Sequence, residues 1–215
     1  MKSSALFILS ILCVSSDAAS SKSLVGAKHL PPATVMSREI IEIDRAIYEP
    51  GPSLGISLYP NNDLTFVLTD IGKPEIKGKQ TFKLSAALAT SVRRQLWRLR
   101  PERLGPRNEL VSSYPSGCGE SLAMNALDGP QVHVGFIHDG PNPSWEDDRI
   151  AEFLLFRSCK TPEASKARKL VRSVLASFPT SHLTADYDRR VDRVKRELSK
   201  PQSERPSSRR STVIL

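Results

Sequence analysis

From Leu54 to Asp70 the chain reads LGISLYPNNDLTFVLTD, and no other stretch limits its possible folds as tightly. Leu54, Ile56 and Leu58 alternate with small or polar residues, so three apolar side chains share one face of an extended strand. LTFVLTD is rich in β-formers. PNND between them is a turn signal, and residues 54–70 therefore predict a β-hairpin. REIIEID before it and IKGKQTFKL after it predict two more strands.

The grammar then changes. In SAALATSVRRQLWRLRPERL, Leu88, Val92, Leu96 and Leu99 recur at helical spacing, Ser85 is placed to cap the N-terminus, and Pro101 ends the run. Arg93, Arg94, Arg98 and Arg100 mostly fall elsewhere on that helix. A solvated face is expected for them, with a phosphate site as the alternative. The second half repeats the pattern. ESLAMNAL and PQVHVGFIH predict strands joined at Asp128-Gly129. A helix is expected over 144–158, with Ser144 and Asp147 in a capping-box arrangement and Ile150, Phe153, Leu154 and Phe156 on its buried side. Another is expected over 163–178. Two strand-strand-helix units predict an α+β fold, an antiparallel sheet with helices packed on one face.

The chain opens MKSSALFILSILCVSSDAAS: a lysine, about ten apolar residues, then small ones. This predicts a signal peptide over 1–19 and export to the periplasm or beyond. The apolar run is short of the ~20 residues that span a bilayer. Leu12 stands where lipidation of Cys13 would need a small residue. Residues 20–37 predict an extended lead-in, 38–178 a single domain, and 179–215 a basic helix followed by a disordered tail.

Export leaves two cysteines, Cys118 and Cys159. An even, small number in an oxidising compartment predicts a disulfide between them. Closing a loop of about 40 residues is worth on the order of 3–4 kcal/mol. A thiol nucleophile would need a neighbouring base and a lowered pKa. Metal binding would need three or four ligands, and no CxxC or HxxxH spacing occurs. No cofactor is expected.

Residues 160–215 hold 14 Lys/Arg and 6 Asp/Glu, whereas residues 1–159 hold 17 of each, so the whole excess of +8 sits at the C-terminal end. Within it DYDRRVDRVKRELSK predicts an amphipathic helix with Tyr187, Val191, Val194 and Leu198 on one stripe. Export argues against nucleic acid as a partner. An unknown protein or envelope component fits the compartment, as does weak contact of the tail with an anionic membrane. The terminal TVIL also has the ending that PDZ grooves accept.

The segment IIEIDRAIYEPGPSLGISLYPNNDLTF resembles the opening of an uncharacterised family of exported bacterial α+β domains. Arg45, Pro52, the Leu54-Ile56-Leu58 alternation and the Asn61-Asn62 turn follow its outline, and the likeness extends over residues 38–158. The chain departs from it at residues 48–53, which lack that family's cysteine pair. The resemblance implies an exported module with no assigned activity.

Candidate chemistry centres on HVGFIHDG. His138, Asp139 and Trp145 are candidate lining residues of a ligand pocket, although a turn rich in Asp, Gly and Pro accounts for the same composition. His133 and His138 lie an odd number of residues apart and point to opposite faces of a strand, a poor metal pair. Ser121, His138 and Asp139 do not make a triad, because adjacent side chains on a strand diverge. Glu146, Asp147 and Asp148 are explained by capping, and Trp97 and Trp145 by packing. No catalytic residue is assigned. The expected function is an exported, non-enzymatic binding or interaction domain. The alternative is a hydrolase-like enzyme using the Cys118 loop or the His138-Asp139 turn. Thiol titration of the denatured, unreduced mature chain is expected to find almost no free thiol; two titratable thiols would contradict the pairing.

Overall fold

The computed structural model describes residues 30–46, 51–71, 73–106, 109, 111–118, 130–138 and 149–199. The expectations for the signal peptide, the 120–127 strand, Asp139, Trp145 and the tail after Lys200 lie outside them. Eight strands form one sheet: β1 (Ile40–Ala46), β2 (Pro52–Leu58), β3 (Asp63–Asp70), β4 (Lys73–Lys83), β5 (Gly105–Pro106), β6 (Val111–Ser113), β7 (Pro130–His138) and β8 (Arg149–Phe156). The helices are α1 (Ala33–Met36), α2 (Ala86–Leu96), α3 (Pro162–Ser177) and α4 (His182–Ser199). The strand order is β4-β3-β2-β1-β7-β8-β5, with β6 also on β8. Every pairing is antiparallel except β6 with β8.

The hairpin forms as its alternation requires. Leu54, Ile56 and Leu58 are buried, and they pair with Leu68, Phe66 and Leu64 of β3. At the turn Asn62 takes a positive φ of 68°, a conformation asparagine tolerates, and the Asn61 side chain accepts from the Asp63 amide. Ser85 caps α2 by accepting from the Leu88 amide, and Thr161 caps α3 by accepting from Ala164. Ala89, Val92 and Leu96 of α2, Val171 and Val174 of α3, and the inward residues of the strands belong to one core. The α+β architecture with helices on one face is therefore as expected.

Two local expectations are corrected. Residues 149–156 form β8, not the second half of a helix. Ala151, Phe153 and Leu155 are fully buried, an alternation of period two that pairing with β7 selects. The apolar set at 150, 153, 154 and 156 fits a helix as well, because both faces of this strand are largely apolar; the neighbouring strand decides. The lead-in is not extended throughout either. Residues 33–36 make a short helical turn that buries Met36 completely.

The arginine expectation splits. Arg94 and Arg98 are exposed, but Arg93 is 1 % exposed and points into the core. Its Nη1 donates to the carbonyls of Met36 (3.1 Å) and Glu39 (2.6 Å), and its Nη2 to those of Leu58 (3.4 Å) and Tyr59 (2.6 Å). One guanidinium thus ties α2 to α1, the entry of β1 and the exit of β2. Burial lowers its pKa, and the nearby Glu39 carboxylate opposes that. Arg100 completes the corner with a bidentate pair to the buried Glu39 and stacks over Trp97 at 4.5 Å.

The C-terminal helix docks on the sheet. Leu183, Tyr187 and Val191 of α4 are buried in the common core, so the described unit runs past 178 to Ser199. Burying three such side chains contributes about 1.5–3 kcal/mol each, against 0–1 kcal/mol for each exposed ion pair. Apolar burial holds α4, and Arg45–Asp188 (3.1 Å) and Arg190–Asp70 (3.4 Å) orient it from its two flanks. The Tyr187-Val191 stripe is turned toward the domain and away from any bilayer. Arg93→Met is expected to lower stability by about 3 kcal/mol, since three buried carbonyls and one part-buried one lose a charged donor. Urea unfolding measures it, and a loss under about 1 kcal/mol would contradict the role.

Candidate functional site

Of the residues the sequence singled out, Cys118 and Cys159 come together. Their Cα atoms are 5.8 Å apart and the pair forms a disulfide, flanked by the Thr161 hydroxyl. It fastens the turn after β6 to the start of α3, and Tyr114 stacks on Phe156 beside it. Bonded in this way, Cys118 offers no thiolate. His138 ends β7 opposite Arg149 and is half-buried. Its proposed companions Asp139 and Trp145 lie outside the described residues.

The open face of the sheet carries a polar cluster. Strand alternation that sends Ile43, Val134 and Phe153 inward sends Asp44, His133 and Glu152 outward on three adjacent strands. His133 Nδ1 lies 3.0 Å from Asp44 and Nε2 lies 3.0 Å from Glu152. Ser112 donates to Glu152 at 2.6 Å, and Ser57 to Glu42 at 3.4 Å. Gly55 makes room: a Cβ there would sit 3.2 Å from an Asp44 carboxylate oxygen. Burial disfavours the imidazolium, but the hydrogen bonds and charges of Asp44 and Glu152 prevail and raise the His133 pKa to about 9. The His133 bond lowers the Glu152 pKa against the effect of burial, with Ser112 helping. With a carboxylate on each nitrogen the ring has no lone pair for a base. The cluster is a charged staple across β1, β7 and β8.

A different place can take a ligand. Between α3, α4 and the ends of β1 and β7 lies a cleft of ≈ 340 Å³. Its cationic side chains are Arg45 of β1, Arg157 in the turn after β8, Arg168 and Arg172 of α3, and Lys195 of α4. Asp188 and Asp192 are the carboxylates among its lining, so positive charge prevails. Val132, Val171, Leu175 and Val191 give it an apolar floor.

The fold presets these cations. Arg45 is held over the Tyr187 ring at 4.8 Å while it pairs with Asp188. Burial raises the Tyr187 pKa, Arg45 opposes this and Asp188 adds to it, so the hydroxyl stays a donor. Arg168 is fixed by donating to the carbonyls of Phe156 (2.8 Å) and Cys159 (2.6 Å), next to the disulfide. Burial, and then the charge of Arg172 one turn away, lowers the Arg168 pKa. Two like charges are thus crowded at a partly desolvated wall, an arrangement an anion relieves. Arg172 is exposed and pairs with no carboxylate among the described residues. Lys195 stands 3.9 Å from Asp192.

Sequence reasoning missed this cleft. Its one local trace is the pair of arginines four apart in KARKLVRS, which puts both on one face of α3. A second groove along the exposed face of α2 carries Arg94 and Arg98, the alternative phosphate position, with Leu30 and small polar residues around them. Two solvated arginines on one helix are weaker anion holders than a cation set drawn from four elements. No group of side chains among the described residues is arranged to hold a metal ion, and none of their helices is long and apolar enough to cross a membrane. Comparison of the chain with protein-family models, curated proteins and solved structures finds no match.

The staple predicts an alkaline loss of stability. The folded pKa of His133, about 9, lies above the ordinary 6.5, so its contribution is complete below pH 6.5 and is lost as pH rises through 9. The shift bounds the effect at about 3 kcal/mol, and exposure of Asp44 cuts that to roughly half. The stability difference between the protein and His133→Gln, followed by urea unfolding from pH 6 to 10, is expected to shrink toward high pH. A difference constant with pH would contradict the assignment.

Proposed function

We propose that the chain is an exported binding domain, without catalytic chemistry of its own, that receives an anionic ligand in the cleft between α3 and α4. The observation that carries the reading is the convergence of Arg45, Arg157, Arg168, Arg172 and Lys195 on one cavity over an apolar floor. These residues come from four segments of the chain, and two of them are positioned by contacts unrelated to ligand: Arg45 by the Tyr187 stack and the Asp188 pair, and Arg168 by the carbonyls of Phe156 and Cys159. A concave site of this size with a few fixed charged groups is the usual form of a small-ligand pocket. Export is supported by the N-terminal apolar segment and by the disulfide, which persists in oxidising compartments.

The hydrolase alternative gains nothing from the residues that are placed. Cys118 is bonded to Cys159, and both nitrogens of His133 are engaged. The positive charge at the C-terminal end also acquires a purpose, since Lys195 of α4 completes the wall of the cleft. Calorimetric titration of the full chain with inorganic pyrophosphate is expected to show one site whose affinity falls with ionic strength. The double change Arg172→Glu, Lys195→Glu is expected to weaken it at least about 30-fold, since each charged hydrogen bond contributes about 1.5 kcal/mol or more. Binding that the double variant leaves unchanged would place the anion elsewhere.

A further inference from the structure

The geometry points to an amphiphilic ligand: one molecule in which a phosphate-like anionic group is joined to an aliphatic body. The inference rests on the anionic-ligand reading and deepens it. The cations and the apolar side chains are not mixed at random in the cleft. Arg168 and Arg172 rise from α3 at i and i+4, while Val171 and Leu175 repeat the same spacing one position round the helix. Across from them, α4 presents Val191 and Lys195 with the same offset of four. The α3 wall thus carries an apolar rail beside a cationic one, while α4 offers Val191 with Lys195 one turn on and the carboxylates Asp188 and Asp192 beside them. Val132 of β7 completes the apolar lining, and Arg157, Arg172 and Lys195 are the exposed cations around it.

A free inorganic anion would use the rim and leave the floor empty. Apolar floor and charged rim are both used when the ligand has an anionic head and an aliphatic stem. Val132 and Leu175 are half-buried and keep apolar surface open to the cleft, backed by the buried Val171 and Val191. Tyr187, buried in the core, backs it with a ring over which the Arg45 guanidinium is held. The guanidinium of Arg172 suits a phosphate because its planar fork can donate two parallel bonds to it. Lys195 supplies a point charge from the opposite wall, and its weak pairing with Asp192 leaves it able to turn toward the ligand. The ≈ 340 Å³ of the cleft suits a single molecule of this kind.

The test compares three probes on the full chain by calorimetry: octyl phosphate, inorganic phosphate and octanol. Octyl phosphate is expected to bind at least about 10-fold more tightly than inorganic phosphate, the gain from burying two or three methylenes. Octanol is expected to bind more weakly than octyl phosphate by a similar factor. Arg172→Glu, Lys195→Glu changes exposed side chains only and should abolish octyl phosphate binding, which also separates the cleft from any association of the apolar N-terminal segment with the alkyl chain. Leu175→Asn should erase the preference over inorganic phosphate while leaving inorganic phosphate binding intact. Equal affinity for octyl and inorganic phosphate would overturn the amphiphile and keep the anion cleft. Equal affinity for octyl phosphate and octanol would overturn the role of the head group. Failure of both phosphates to bind would overturn the anion cleft as well.

Discussion

A single buried guanidinium decides how the helical layer sits on the sheet. Arg93 lies within the core, where a charge without partners would be far too costly, and it is tolerated because four main-chain carbonyls receive it. Those carbonyls belong to the segment leading into β1 and to the end of β2, so α2 can dock in only one position relative to both. Its Nε finds no partner among the described residues, a remaining cost that the four bonds outweigh. Glu39 and Arg100 close the same corner. With α2 set, α3 packs alongside it and α4 takes the space left over β2, β3 and β4. The walls of the cleft, α3 and α4, are placed by that order of packing.

The two faces of the sheet serve different ends. The inner face is apolar and carries the helices. On the outer face, Asp44, His133 and Glu152 hold three strands together by charge, near the middle of the strand order. A histidine between two carboxylates invites a catalytic reading, yet the same contacts that charge it also occupy it. The cations of the cleft are positioned differently. Arg45 is held by the Tyr187 ring and Asp188, Arg168 by two main-chain carbonyls, and Arg172 faces solvent, the arrangement on which the proposed anion site rests.

What the sequence makes legible follows the range of the interactions involved. The hairpin at 54–70, the Ser85 cap and the helix before Pro101 depend on neighbours within a few residues, and each forms where expected. The 149–156 segment depends on a partner strand, and its apolar residues alone satisfy either period. Arg93 reads as one more basic residue of an exposed helical face until the ends of β1 and β2 close over it. Cys118 and Cys159 were pairable by counting. The cleft was not, because Arg45 and Lys195 are 150 positions apart and meet only when α4 folds back over the sheet. The amphipathic stripe of α4 was visible; that its apolar side faces this domain is a tertiary fact.

The central claim is that anions enter between α3 and α4 and not elsewhere on a strongly basic chain. An amide chemical-shift map of the labelled full chain, titrated with inorganic pyrophosphate at near-physiological ionic strength, tests it most directly. The account predicts saturable shifts confined to the turn at Arg157, the 168–175 segment of α3 and the 187–195 segment of α4. Shifts centred on Arg94 and Arg98 of α2, or spread without saturation over exposed lysines and arginines while the cleft stays silent, would contradict it.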